Sequence, residues 1–272
     1  VCFVKAMKNA RVFSVFIASL VLLALASGCS TVPVTGRTQF TGLVSPSQEI
    51  QLGLTSFDEL KKTTPISHDA AANALVQKVG QRIAAVANAD MPNAQWEFVV
   101  FESKEANAFC LPGGKVGVYT GILPITKDEA GLATVIGHEV AHAVARHGAE
   151  RMSQAMAEQG VGQLLGASVS KYSPQVQAIV NGAYGLGTQT FVALPFSRAQ
   201  ESEADHIGLI YMARAGYDPQ AAVAFWQRFM QYNTQTGGDN TPAFLRTHPA
   251  DATRIKQLQA WLPEAKAQYK PQ

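Results

Sequence analysis

The chain has 272 residues, 47% of them hydrophobic and 15% charged, which suits one compact domain with a sizeable core and at most small extensions. Setting aside Lys5, Lys8 and Arg11, which fall within the first 28 residues, leaves 19 basic against 20 acidic side chains, a net charge of −1. No basic run interleaved with aromatic residues remains, so nucleic acid is excluded as a partner.

Residues 1–28 read as a lipoprotein signal peptide, with Met7 as a plausible start, a basic stretch, and an apolar run from Val12 to Ala26. The run ends in Leu25-Ala26-Ser27-Gly28-Cys29, which resembles a bacterial lipobox. That resemblance implies cleavage before Cys29, lipidation of its thiol and acylation of the new N-terminus. With Ser30 rather than Asp after the cysteine, it further implies a periplasm-facing protein of the bacterial cell envelope, sorted to the outer membrane. An uncleaved anchor is the alternative, but a spanning helix needs about 20 apolar residues and this run is shorter. Several acyl chains hold a protein stably at a membrane, where one does so only marginally.

Residues 29–44 contain Pro, Gly and Thr without helical periodicity and predict a lipidated tether. Ser45-Pro46-Ser47-Gln48 carries the residues of a capping box and opens a helix over 46–62. A second helix over 69–88 aligns Leu75, Val79, Ile83 and Val86 on one side. Strands are predicted at 96–102, 107–111 and 115–120, with Pro112-Gly113-Gly114 as the turn between the last two. A long helix is predicted over 128–158. The glycine-rich stretch 160–195 fits neither a clean helix nor a clean strand; a lid or a packed connection is favoured over a membrane-dipping segment. Helices follow at 198–215, after Asp218-Pro219, and at 250–262, leaving residues 263–272 as a tail.

Within the long helix lies His138-Glu139-Val140-Ala141-His142. Residues four apart share a helix face, so both imidazoles can reach one metal ion, with Glu139 placed to take a proton from an attacking water. A catalytic zinc site needs three protein ligands and one open position. A third histidine six residues on would fall at Gly148, so the extended three-histidine motif is absent. His147 lies nearby at the wrong angle and reads as a surface or helix-end residue. The third ligand must come from elsewhere, and Glu201 and Asp205, four apart, share a helix face while Glu203 points away. One of the two can bind metal and the other can orient a ligand histidine; an acidic solvated face is the bland alternative. Cys110, flanked by Phe109 and Leu111, reads as a buried, inert thiol rather than a nucleophile. His68 and His206 read as surface or packing residues.

H-E-x-x-H followed by Glu201-x-x-Ala204-Asp205 resembles the HtpX-like zinc metallopeptidases, family M-48, relatives of the CAAX prenyl endopeptidases and of bacterial periplasmic quality-control proteases. The resemblance spans about residues 45–262. It includes Asn107-Ala108-Phe109, Leu111-Pro112-Gly113-Gly114, Val118-Tyr119-Thr120-Gly121, Ser197-Arg198, Thr247-His248-Pro249 and Arg254-Ile255. It implies an α+β, mainly helical zincin-like (gluzincin) metallopeptidase domain over 45–262, with a small sheet beside the H-E-x-x-H helix. It implies one Zn2+ per chain held by His138, His142 and Glu201, with Glu139 as general base and Asp205 behind a ligand. Asn107, Ala108 and Phe109 become an edge strand to which an extended substrate adds. His248 becomes either an oxyanion stabiliser or a cap on the open metal position. The implied activity is endoproteolysis of unfolded or misassembled cell-envelope proteins, with outer-membrane protein assembly by the same groove as the alternative. The oligomeric state is left open.

Overall fold

The computed structural model describes residues 28–163, 196–236, 241–249 and 252–271. The expected signal peptide, apart from Gly28, lies outside them, as does the glycine-rich stretch from 164 to 195. Residues 29–44, expected as a tether, are instead built into the body of the protein. Strand β1 (Cys29–Thr31) pairs antiparallel with β2 (Thr38–Phe40). Val32, Gln39 and Thr41 are buried, and Gln39 Nε2 donates to the Ala145 carbonyl. Two three-residue strands are too short for alternation to show in a sequence, which is why this hairpin reads as a loop. Cys29, the expected lipidation site, opens β1 with an exposed side chain.

Helix α1 (Pro46–Thr63) starts at the capping box of Ser45 and Gln48, as the sequence predicts. Helix α2 (Ala70–Ala87) is capped by Asp69 and buries Val76, Val79, Ile83 and Ala87 along one face. Strands β3 (Glu97–Phe101), β4 (Ala108–Leu111) and β5 (Lys115–Tyr119) form a sheet in the order β3-β5-β4, with β5 parallel to β3 and antiparallel to β4. Alternate residues serve two cores. Phe98, Val100, Ala108 and Val118 join the main core, while Phe101 and Phe109 pack with Phe57 of α1 on the other face. Gly113 and Gly114, both at positive φ, make the turn from β4 to β5.

After the short α3 (Leu123–Thr126), Asp128 caps α4 (Glu129–Val144), in which every residue from Gly131 to Val144 is buried. A helix this apolar on all sides belongs in the centre of a fold. It packs against α2, β4, and the later helices α6 (Arg198–Arg214) and α7 (Gln220–Thr236). The single helix expected over 128–158 is in fact two. Arg146 adopts φ +54, and α5 (His147–Gln163) departs in a new direction. A left-handed arginine is uncommon and needs outside support. Arg146 has it: Nε donates to Glu49 Oε2 (2.8 Å), Nη1 to Thr41 Oγ1 (3.2 Å) and Nη2 to the Val44 carbonyl (3.1 Å).

The remaining elements are α8 (Ala243–Thr247) and α9 (Ala252–Ala267). The last helix runs past the expected end at 262, with Pro263 inside it and Ala265 fully buried beyond it. Helices α4 and α6 meet at Gly137 and Gly208. A Cβ on Gly208 would lie 2.9 Å from His138 N and 3.1 Å from the Gly137 carbonyl oxygen. This close crossing sets the distance between the H-E-x-x-H face and the acidic face of α6. No helix among the described residues is long and apolar enough to cross a membrane.

Candidate metal centre

His138 and His142 project from one face of α4, Glu201 reaches across from the first turn of α6, and His248 follows the end of α8. One donor atom from each of the four lies within 4.8 Å of the others, and all four residues are buried. His138 Nε2 is 3.0 Å from His142 Nε2 and 3.1 Å from His248 Nδ1. Glu201 Oε1 is 3.2 Å from His142 Nε2 and 2.9 Å from His248 Nδ1.

Burial drives the imidazoles of His138 and His142 well below their ordinary pKa, so both are neutral. Burial would raise the Glu201 carboxyl, but the charges of His248 and Arg254 and its other histidine neighbours outweigh that and hold it well below the usual range. Burial raises the Glu139 carboxyl to about 7. Its Oε1 is buried without a hydrogen bond, 3.5 Å from His248 Nε2. Burial would lower the His248 imidazole, but Glu139 and Glu201 raise it above its ordinary value.

The convergence of buried imidazole nitrogens and a carboxylate oxygen within 4.8 Å is the spacing that donors to one metal ion need. Two nitrogens and one carboxylate oxygen are also the donor set of a known class of catalytic zinc site. The residues therefore fit zinc.

A model of the Peptidase M48 family matches residues 70–262. The chain belongs to peptidase family M48. Members of this family are zinc metallopeptidases, and the M48 fold is the mainly helical zincin-like domain with small sheets found here. Among curated relatives, the mitochondrial metalloendopeptidase OMA1 of Schizosaccharomyces pombe is 43% identical over 190 residues, covering 70% of this chain and 53% of that protein. Its Saccharomyces cerevisiae counterpart is 39% identical, covering 68% and 52%. The beta-barrel assembly-enhancing protease of Escherichia coli is 28% identical over 240 residues, covering 85% and 47%. The chain spans about half the length of these relatives. The resemblance to the family holds, whereas its refinement to an HtpX-like bacterial lipoprotein does not. The expected outer-membrane location is overturned, because the relatives of higher identity are mitochondrial proteins. A lipobox-like run of small and apolar residues before a cysteine is too short a pattern to fix a compartment.

Around the M48 donors lie residues of two kinds. Asp205, expected behind a ligand, has Oδ1 3.0 Å from His138 Nδ1, where it can hold a proton on that nitrogen and turn the Nε2 lone pair to the donor cluster; Arg254 Nη2 lies 3.2 Å from the same nitrogen. Arg254, quoted in the motif run without a role, pairs with both acidic residues. Its Nη1 is 2.9 Å from Glu201 Oε2 and its Nη2 donates to Asp205 Oδ1 at 2.6 Å. The guanidinium also lies 3.4 Å over the Trp226 ring. Nothing in sequence spacing marks such a partner fifty residues away.

His147 stands at a helix end, as the first residue of α5, but it is not on the surface. It is fully buried, 2.9 Å through Nδ1 from His142 Nδ1 and 3.0 Å through Nε2 from Glu203 Oε2. The break at Arg146 swings it back towards the site, which an unbroken helix would not do. Glu203 does point away from the donor cluster, yet it too is buried. His206 packs on Trp261 beside Glu264, and His68 is exposed, as their sequence reading held.

A narrow cavity of about 10 Å³, room for about one water, opens beside the donors. Asn107, Ala108 and Phe109 line it together with Glu139, Phe196 and His248. Phe196 lies against His142, with ring centroids 4.0 Å apart. Cys110 also borders the cavity, and burial raises its thiol far above the ordinary range, which makes it a poor nucleophile.

Proposed function

We propose that this chain is a zinc-dependent endopeptidase that cuts unfolded or misassembled proteins, a quality-control activity. The observation that carries the reading is the convergence of His138, His142 and Glu201 beside a buried carboxylate, Glu139, whose Oε1 accepts no hydrogen bond among the described residues. The OMA1 relatives, named as metalloendopeptidases, support it.

His138 and His142 would hold zinc through Nε2, with Glu201 as the third ligand. Bound there, zinc polarises a peptide carbonyl and makes an added water more acidic. Glu139 takes the proton of the attacking water; a carboxyl with a pKa near 7 is well matched to giving that proton to the leaving amine afterwards. His248, close to Glu139 and Glu201, is placed to stabilise the oxyanion that develops on the carbonyl. The edge strand β4 pairs only with β5 among the described strands, which leaves its other side towards the cavity for an extended substrate segment. Backbone pairing of that kind suits unfolded chains and is tolerant of sequence.

A second reading is an assembly factor that holds clients in this groove and cleaves rarely. The position of His248 favours it, since a fourth protein donor would close the site, and the Escherichia coli relative is named for assembly enhancement. Casein digestion by the zinc-loaded chain and its Glu139→Gln variant tests both. Cleavage by the parent alone, with zinc content equal in the two, supports the endopeptidase and its base. No cleavage by either sinks the simple protease reading; a gain of cleavage in His248→Ala would then identify a capped enzyme.

A further inference from the structure

The two ligand histidines are oriented by different devices. His138 has a carboxylate oxygen, Asp205 Oδ1, 3.0 Å from its Nδ1, the familiar arrangement. Among the described residues His142 has no carboxylate at its Nδ1 and faces the Nδ1 of His147 instead, at 2.9 Å. We propose that His147 and Glu203 form a positioning relay for His142, and that the β1–β2 hairpin holds this relay in place. The inference rests on the reading of His142 as a zinc ligand.

The proton pattern is settled by exclusion. If His142 offers the Nε2 lone pair to metal, its single ring proton sits on Nδ1. His147 must then accept that hydrogen bond at its own Nδ1, so its proton sits on Nε2. Glu203 Oε2 lies 3.0 Å from that nitrogen and can only accept while ionised. Three donors converge on this one carboxylate, from His147, Thr35 and Arg37, which suits its role as the terminal acceptor. Every hydrogen bond runs in one direction, from ligand ring to carboxylate. Reversing any of them would put the His142 proton on the nitrogen that must face the metal.

The end of the relay is supplied from outside the family-matched region, residues 70–262. Thr35 Oγ1 donates to Glu203 Oε1, and Arg37 Nε donates to Glu203 Oε2 at 2.6 Å. The same guanidinium donates through Nη1 to Glu150 Oε1 at 2.8 Å on α5, the helix that begins with His147. Arg37 thus ties the carboxylate of the relay to the helix that carries its histidine. The hairpin is therefore a strap on the metal centre.

The test measures zinc affinity by chelator competition, together with the visible spectrum of the cobalt-substituted protein, whose bands report ligand geometry. Outer partners of metal-binding histidines typically contribute 10–100-fold in affinity. His147→Leu, which keeps bulk and removes the acceptor, is expected to weaken zinc binding about 10–100-fold and to shift the cobalt bands. His147→Asn can place an acceptor oxygen near the position of Nδ1 and is expected to recover most of the loss. Arg37→Met is expected to give a smaller loss. Circular dichroism of each metal-free variant checks that it is folded. Wild-type affinity in His147→Leu, or better binding by Leu than by Asn, overturns the relay and leaves a packing role. Retention of full affinity by His142→Ala would instead overturn the metal-site reading on which the relay stands.

Discussion

The metal centre is held from two sides that differ in depth. On the His138 side, Asp205 and Arg254 come from α6 and α9, and the Arg254 side chain is only 5% exposed. On the His142 side, Arg37 comes from the hairpin and its side chain is 34% exposed. The first side is locked into the core beneath Trp226, while the second is clamped from the surface by a segment with a small core contact of its own. A buried charge that loses its partner is strongly penalised, whereas a surface pair is worth little. The difference teaches that one ligand histidine is backed wholly from the core, whereas the buried His147–Glu203 pair behind the other is itself clamped by a half-buried arginine of the hairpin.

The largest break in this comparison is expected from Arg254→Ala. It leaves Glu201 and Asp205 as neighbouring buried carboxylates without their shared cation, and removing one member of a buried pair costs about 3–5 kcal/mol. Chemical denaturation of the metal-free protein should show a loss of that order, and zinc should in part restore the fold by neutralising Glu201. A loss under about 1 kcal/mol, the range of exposed pairs, would mean that the two sides are held alike.

Gly208→Ala is expected to have an intermediate effect. The new methyl would press on the His138 amide and the Gly137 carbonyl. Overpacking of this kind costs about 1–3 kcal/mol. Because Glu201 stands two turns before Gly208 on α6, separating the helices should also lower zinc affinity. Unchanged zinc affinity with reduced stability would show that the crossing supports the core without setting the site.

Much of this arrangement was legible from residue order. The capping box at Ser45, the three strands and the H-E-x-x-H face are local patterns, and local patterns survive folding. Glu201 and Asp205 were narrowed to a pair by their four-residue spacing, and the family resemblance assigned each its part. What escaped is what three dimensions create. The left-handed turn at Arg146 depends on partners at Thr41, Val44 and Glu49, about a hundred positions earlier, so His147 could not be placed from its spacing alone. Arg254 and the hairpin were missed for the same reason: their partners are distant in sequence, and neither element carries a periodic signal.

The smallest expected effect sharpens the comparison most directly. Burial would raise the Glu150 carboxyl, but hydrogen bonds from Arg37 and Gln200 outweigh it and hold the group below its ordinary value of 4.5. A carboxylate lowered in the docked state contributes anchorage that is complete above the undocked value and fades as the pH falls through the docked one. The hairpin should therefore loosen below about pH 4.5, while the deep side, whose core helices do not depend on this contact, stays closed. Hydrogen exchange can follow this through the amides of Val32 and Thr41, which donate to the carbonyls of Arg37 and Gly28. Their protection factors should fall on acidification while those in α4 hold, and Glu150→Gln should flatten the change. Because Arg37 is about one-third exposed, the free energy involved is about 1 kcal/mol or less, visible as a several-fold drop in protection rather than as unfolding. If hairpin and α4 amides lost protection together, the strap would be part of the core, and the two ligand histidines would stand on equal footing after all.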